Sequence, residues 1–224
     1  LLFTLIPLVA LYFTNRSGDI GEATLSDVPP QFLILCQDLT GSDCMNYYLV
    51  SQFVILFILL PMIIPMNLAA YSIVGEKTTR TLEPLLATPI TTGQLLVGKA
   101  GAAILPGLGA TWLAYLLFIV GALVLGTSFN VIRLFISGYW LTAIVLLSPL
   151  LALTAVSISI MVSSRVTDVR AAEQISGLFV LPLVGLFIGQ ATGLFLVDTT
   201  LILWMTGALL VIDTILMFLA IRLF

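Results

Sequence analysis

The sequence lacks histidine altogether and holds few charged side chains of either sign. Eight Lys and Arg stand against eleven Asp and Glu in 224 residues, which gives a net charge of −3. Without an imidazole, the chain can form neither a histidine-based zinc site nor a Ser-His or Cys-His nucleophile pair. A net negative charge gives no reason to expect nucleic acid as a partner. We therefore predict that the chain is not an enzyme and has no catalytic residue and no metal site.

Hydrophobic residues make up 60% of the chain. Charged residues make up 8%, against about 25% in an ordinary soluble domain. A soluble chain of this length could not bury so much apolar surface away from water, so the surrounding solvent is predicted to be lipid. A helix needs about 20 mostly apolar residues to cross a bilayer. Five runs are long enough: 47–74, 100–126, 134–162, 171–195 and 199–221.

A sixth apolar run, residues 1–14, would reach only about 21 Å as a helix at 1.5 Å per residue. Because the chain begins without Met, we interpret this run as a first span that has lost its start. A signal peptide fits less well, since the run has no basic n-region and no small-residue cleavage site. The prediction is one all-α membrane domain over residues 1–224, with six transmembrane helices, the first of them truncated.

Lys and Arg concentrate in the connections on one side of the predicted membrane. The loops 75–99 and 163–170 and the C-terminal end hold six of the eight basic residues: Lys77, Arg80, Lys99, Arg165, Arg170 and Arg222. Because cytoplasmic loops carry the excess of Lys and Arg, we predict that these regions and both termini lie inside.

Both cysteines of the chain, Cys36 and Cys44, fall in the loop 15–46, which this orientation places outside and which is rich in Asp and Glu. An outer compartment permits oxidation of thiols. A disulfide between Cys36 and Cys44 that closes a short loop and a pair of free thiols are both consistent with the sequence.

The stretch GQLLVGKA, residues 93–100, comes within one residue of the phosphate-binding loop G-x-x-x-x-G-K-[ST]. A phosphate-binding loop follows a β-strand and exposes its backbone N–H groups. Here Thr91 and Gln94 instead have the spacing of a helix capping box, which makes Gly93 an early helical residue. Lys99 is then expected at the lipid boundary, and this chain is predicted to bind no nucleotide.

The segment just upstream predicts a short amphipathic helix between spans two and three. Thr81 can cap it, Glu83 lies in its first turn, and Pro89 ends it by disfavouring helical geometry at Thr88. Three leucines share one face at i, i+3 and i+4: Leu82, Leu85 and Leu86. The flanking charges are mixed in sign, which favours a groove on another protein over anionic lipid as the partner of this face.

The run GEKTTRTLEPLLATPITTGQLLVGK, residues 75–99, resembles the first cytoplasmic loop of permease subunits of ABC-2 type transporters. The resemblance implies that the short helix is a coupling helix seated in a groove of an ATPase. It implies a coupling role for seven residues: Glu76, Arg80, Thr81, Leu82, Glu83, Leu85 and Leu86.

The same resemblance implies an ATP-driven exporter in the plasma or inner membrane of a prokaryotic cell. Its implied partners are two ATP-binding cassette ATPase subunits and a second permease copy or a homologous permease. ATP and Mg would be bound by the ATPase, and this chain would hold no cofactor of its own.

Polar residues inside the predicted spans are few. Asp213 lies near the middle of the last span, where a charge is costly and usually faces protein or water. It is either a proton or cation relay or a neutral, hydrogen-bonded core residue. Together with Glu173 and Gln190 it forms a candidate intramembrane polar site. The scarcity of such groups favours a lipid-like or amphipathic cargo over a sugar.

Three glycines recur every four residues along the fifth span: Gly185, Gly189 and Gly193. Small residues at this spacing let a second helix approach closely. The face either packs within the subunit or forms a dimer interface.

Three other functions compete with the permease interpretation. A gradient-driven secondary transporter or ion channel would use Asp213, but it leaves the short loop helix without a role. An intramembrane enzyme has no nucleophile or acid–base pair that we can name. A structural or receptor-like membrane subunit is the third alternative.

Overall fold

A computed structural model describes residues 2–16, 41–79, 91–194 and 197–223, and every regular element among them is helical. The α-helices of this part of the chain are α1 (Leu2–Arg16), α2 (Gly41–Gln52), α3 (Val54–Thr79), α4 (Thr92–Val124), α5 (Phe129–Phe135), α6 (Gly138–Leu141), α7 (Ser148–Arg165), α8 (Val169–Gly177), α9 (Leu181–Ala191) and α10 (Thr199–Leu223). A π-helical segment, Thr142–Leu147, joins α6 to α7, and a 3₁₀ turn, Leu178–Val180, joins α8 to α9.

Five stretches of the described chain are long and apolar enough to cross a membrane: Asp43–Thr79, Gly93–Val124, Phe129–Arg165, Val169–Ala191 and Thr199–Ala220. The apolar helix α1 is shorter than these five. The predicted multi-span all-α membrane fold is therefore confirmed. The second, third and fourth spans begin several residues before the apolar runs that predict them, because polar residues continue these helices at their ends.

Helix α3 packs between α4 and α7 at the centre of the bundle. Ser159 Oγ in α7 donates to the Met66 carbonyl of α3 at 2.8 Å, and both residues are buried. On the other side, a Cβ atom added to Gly107 of α4 would clash with the ring of Pro65 in α3. The absence of a side chain at position 107 is therefore what lets α4 approach α3 so closely.

A cluster of aromatic rings fills the bundle beside α3. Trp140 is fully buried, and its ring centroid lies 5.5–6.1 Å from those of Phe57, Tyr115, Phe118 and Phe135. The Tyr115 hydroxyl donates to the Phe135 carbonyl at 2.6 Å, which satisfies its polar end. In lipid, helix association depends on such close packing rather than on removal of apolar surface from water.

The fourth span is interrupted by the π-helical segment just before Pro149. Proline has no N–H, and its ring clashes with the carbonyl four residues earlier. In a regular α-helix, the Pro149 ring would clash with the Val145 carbonyl. The wider π-helical turn over Thr142–Leu147 relieves this contact. Within the apolar run 134–162, Pro149 marks the position of the break, but the hydrophobic pattern does not show the change in helix type.

Helix α2 joins α1 and the start of α3 at the end of the bundle opposite Thr79, the last residue of α3. Asn46 Nδ2 in α2 donates to Asn15 Oδ1 in α1 at 2.8 Å. Cys44 in the same helix is buried and disulfide-bonded. The chain's other cysteine, Cys36, lies outside the described residues.

Candidate functional site

Most of the predicted coupling segment falls outside the described residues. This applies to Arg80, Thr81, Leu82, Glu83, Leu85 and Leu86. Its two flanks are described: the last turns of α3, which end at Thr79, and the start of α4 after Thr91.

The start of α4 is the predicted capping box. Thr91 Oγ1 accepts from the Gln94 backbone N–H at 3.3 Å, and Gln94 Oε1 accepts from the Thr91 N–H at 3.1 Å. Gly93 therefore lies in the first turn of a helix, as the sequence predicts. The Leu95 N–H donates to the Thr91 carbonyl at 3.0 Å. Because helix formation takes up these backbone groups, the stretch is not a phosphate-binding loop.

Glu76 and Lys99 form an ion pair that links the end of α3 to the second turn of α4. The Lys99 side chain is 12% exposed and that of Glu76 is 30% exposed. Fully exposed pairs contribute only about 0–1 kcal/mol, whereas partial burial reduces screening by solvent. The Lys99 ammonium group thus contacts protein, and its position at the lipid boundary stays a prediction. A contact between Glu76 and an ATPase stays a prediction.

Lys77, the next residue of α3, binds the end of α7. Its Nζ donates to the Ser164 carbonyl at 2.7 Å and lies 3.4 Å from the carbonyls of Ser163 and Val166. These carbonyls have no partner within a helix, and a cation is favourable at this pole of the helix dipole. The end of α3 is therefore tied both to α4 and to α7.

A cleft of about 590 Å³ opens between α3 and α4 at the same end. Glu76 and Lys99 line it together with Tyr71 and Pro106. The ion pair thus lies in the wall of an open cleft that Thr79, the last residue of α3, also lines. Among the described residues, no group of three His, Cys, Asp or Glu side chains could hold a metal ion here or elsewhere.

Asp213 is 3% exposed and contacts α7 from the last span. Thr154 Oγ1 donates to Asp213 Oδ1 at 2.6 Å, while the other carboxyl oxygen, Oδ2, is buried without a hydrogen-bond partner in the described part of the chain. Thr154 is therefore the partner that holds this carboxyl group in place. A buried carboxyl with one satisfied oxygen is compatible with both interpretations of Asp213 that the sequence leaves open.

The other two residues of the predicted intramembrane site lie at different levels of the bundle. Gln190 is buried at the end of α9, where its Nε2 donates to the Ser51 carbonyl at 3.2 Å. Glu173 is half-buried in α8. Seventeen residues separate them, which corresponds to about 25 Å of helical rise. Asp213, Glu173 and Gln190 thus do not form one polar site.

The three glycines of the fifth span do not share one helical face. Helix α9 ends at Ala191, and Gly193 lies beyond it with φ +71°, in the left-handed conformation of a helix C-terminus. The Leu194 N–H donates to the Gly189 carbonyl at 2.9 Å, which completes this termination. Gly185 is exposed and Gly189 is buried. A contact of these two with another subunit stays a prediction.

The contacts that the sequence did not reveal share one property, which is that each joins residues far apart in the chain. Lys77 with the end of α7, Thr154 with Asp213, and Gln190 with Ser51 are all of this kind. No spacing within one helix indicates such a partner.

A helical bundle with five apolar stretches long enough to cross a membrane defines a multi-pass membrane protein. The chain belongs to the ABC-2 family transporter proteins, whose family model matches residues 2–201. It is therefore a permease, the membrane subunit of an ABC transporter, and is not itself catalytic. Membership implies association with ATP-binding cassette ATPase partners. Searches of curated proteins and of solved structures gave no match.

Proposed function

We propose that this permease works in an ATP-driven exporter of a prokaryotic plasma or inner membrane. Two ATPase subunits bind ATP and Mg, and a second copy of the chain or a homologous permease completes the pathway. The predicted short helix capped by Thr81, with Leu82, Leu85 and Leu86 on one face, acts as the coupling helix on the cytoplasmic side. The observation that best supports this proposal is the Glu76–Lys99 ion pair at the base of the segment.

The ion pair and the neighbouring Lys77 suggest how a displacement of the segment spreads. Glu76 and Lys99 hold the ends of α3 and α4 together, and Lys77 holds α3 to the end of α7. Further along, Pro65 of α3 packs directly on Gly107 of α4. When the ATPase subunits close and push the segment, α3, α4 and α7 move as one unit against the remaining spans. The pathway between the two permeases then changes the side to which it opens.

Replacing Leu85 with aspartate is expected to uncouple the complex. A carboxylate in an apolar groove lacks a compensating hydrogen bond, so docking weakens by several kcal/mol. The permease-stimulated ATPase activity of the assembled complex should fall about tenfold or more, because each 1.4 kcal/mol is a factor of ten. The volume-conserving Leu85→Met variant should keep its activity within about twofold. Equal stimulation by both variants would refute the role of this segment.

The alternative, a secondary transporter or channel that uses Asp213, has the buried carboxyl group in its favour. We expect that Asp213→Asn leaves the permease-stimulated ATPase activity within about twofold, because the asparagine Oδ1 can still accept from Thr154. Vesicles with a trapped pH-sensitive dye report proton flux without ATP. A flux that the parent chain supports and Asp213→Asn abolishes would favour the alternative.

A further inference from the structure

A second cleft, of about 530 Å³, lies among α7, α9 and α10, within the spanning region. We call it the α9–α10 cleft. Its α10 wall is formed by Met205, Leu209, Ile212 and Leu216, which follow one another along a single helix face. It is distinct from the cleft beside the ion pair, which lies between α3 and α4.

The lining of the α9–α10 cleft is almost wholly apolar. Thr154 is the one polar residue among the described side chains that line it. Its hydroxyl lies 2.6 Å from Asp213 Oδ1 and 3.0 Å from the Leu150 carbonyl, so its single O–H donor is already used within the protein. Water and polar ligands need several polar partners in a cavity. The chemistry of this lining therefore selects an apolar occupant.

The cleft is large enough to hold an apolar occupant. Protein interiors contain few voids larger than a water molecule. An apolar cavity of about 150 Å³ already binds benzene, and the α9–α10 cleft is more than three times that size. Left empty, the cleft would deprive its lining of dispersion contacts.

The rim of the cleft faces the bilayer. Phe179 is 50% exposed and Ile212 is 44% exposed, whereas Leu151 and Leu183 at the floor are 4% and 7% exposed. All four residues lie in the spanning stretches. A molecule can therefore enter between α9 and α10 from the hydrocarbon region without crossing the polar surface.

We propose that the α9–α10 cleft binds one acyl chain of a membrane lipid. Two features favour an acyl chain over a helix of a second copy. The walls carry large side chains such as Phe179, Leu186 and Leu216, whereas helices approach closely over small residues. Met62, Met161 and Met205 line the cleft, and methionine side chains adapt to occupants of variable shape.

The site goes beyond the proposed function, because it assigns a lipid ligand to the permease independently of any cargo. Leu151 at its floor belongs to α7, and Met62 belongs to α3. These two helices are joined to each other by the Ser159 hydrogen bond and by Lys77. A bound chain therefore contacts the unit that we expect to move during coupling.

The experiment uses the full-length protein, with the subunits that co-purify with it, in phosphatidylcholine vesicles. A fraction of the lipid carries a diazirine on one acyl chain. After illumination, peptides are mapped by mass spectrometry. We expect labelling of the buried floor residues Leu151, Ile158 and Leu183, which lipid around the outside of the bundle does not reach. Because labelling needs no ATP hydrolysis, this readout is unaffected if the proposed coupling role is wrong.

Ala208 offers a way to close the cleft, since it lines the cleft and is itself exposed. Ala208→Trp should reduce floor labelling at least about fivefold, because an indole fills much of the space, and the smaller Ala208→Leu should give an intermediate reduction. Leu210→Trp is the matched control, since Leu210 lies on the same helix, is 54% exposed and is absent from the lining. It should leave floor labelling unchanged.

Two results would overturn the proposal. The first is labelling that is confined to exposed outer residues and is equal in Ala208→Trp and Leu210→Trp. This result would mean that lipid surrounds the bundle but does not enter the cleft. The other is a cross-link between cleft residues and a second copy of the chain in place of lipid, which would make a helix the occupant.

Discussion

Replacing Trp140 with alanine should lower the free energy of unfolding by about 3–5 kcal/mol, the usual cost of removing a large buried aromatic side chain. Trp140 is fully buried against the rings of Phe57, Tyr115, Phe118 and Phe135. In lipid the loss arises from the cavity and the missing dispersion contacts. Denaturant titration in mixed micelles, followed by circular dichroism, measures it.

Trp204 provides the matched control for this substitution. It lies in α10 and is 78% exposed, so Trp204→Ala removes the same side chain without opening a cavity in the bundle. The expected change is within about 0.5 kcal/mol. Equal losses for the two variants would show that the aromatic cluster does not stabilise the fold.

The second large effect is expected at the Glu76–Lys99 ion pair. Lys99→Glu would place two carboxylates side by side at a partly buried position. Like charges at 4 Å repel by about 4 kcal/mol at an effective dielectric constant of 20, and less where one partner is 30% exposed, as Glu76 is. We expect the ends of α3 and α4 to separate and the permease-stimulated ATPase activity of the complex to fall about tenfold or more.

The exchange variant Glu76→Lys with Lys99→Glu tests whether the pair acts through its charges. It restores opposite signs at the two positions and should recover most of the stimulation. Arg170→Glu is the control for charge reversal, since Arg170 is an exposed residue at the start of α8, next to the same end of the bundle. Failure of the exchange to recover activity, with Arg170→Glu equally impaired, would contradict a role for this specific pair.

The sequence predicts the spans of this fold well because each is a long apolar run. It predicts the start of α4 equally well, since a capping box is a local pattern between Thr91 and Gln94. The breaks within spans are different. The run 47–74 appears continuous in sequence, yet α2 ends at Gln52 and α3 begins at Val54. Near this break the Ser51 carbonyl accepts from Gln190, a residue 139 positions away. No local periodicity contains that information.

The sequence predicted residues of the candidate site but not the contact between them, because that contact also joins residues distant in the chain. The resemblance directed Glu76 toward a partner protein, while the capping box at the start of α4 directed Lys99 toward the lipid boundary. Their pairing depends on how α3 and α4 meet across 23 residues of chain. Gly193 shows another ambiguity, since a glycine can continue a four-residue period or end a helix with positive φ. Only the conformation of the chain distinguishes these two roles.

The π-helical segment Thr142–Leu147 has a consequence for comparing relatives of this permease. A π turn accommodates one residue more than an α turn, so the segment absorbs a single insertion without rotating the helix on either side. In a homologue whose helix is α-helical throughout, the residues equivalent to Trp140 and Thr154 would contact the same neighbours. One residue fewer would separate them in the sequence. A sequence alignment with such a homologue therefore needs a one-residue gap within Thr142–Leu147. Without that gap, residues on one side of the segment would be matched to the wrong positions.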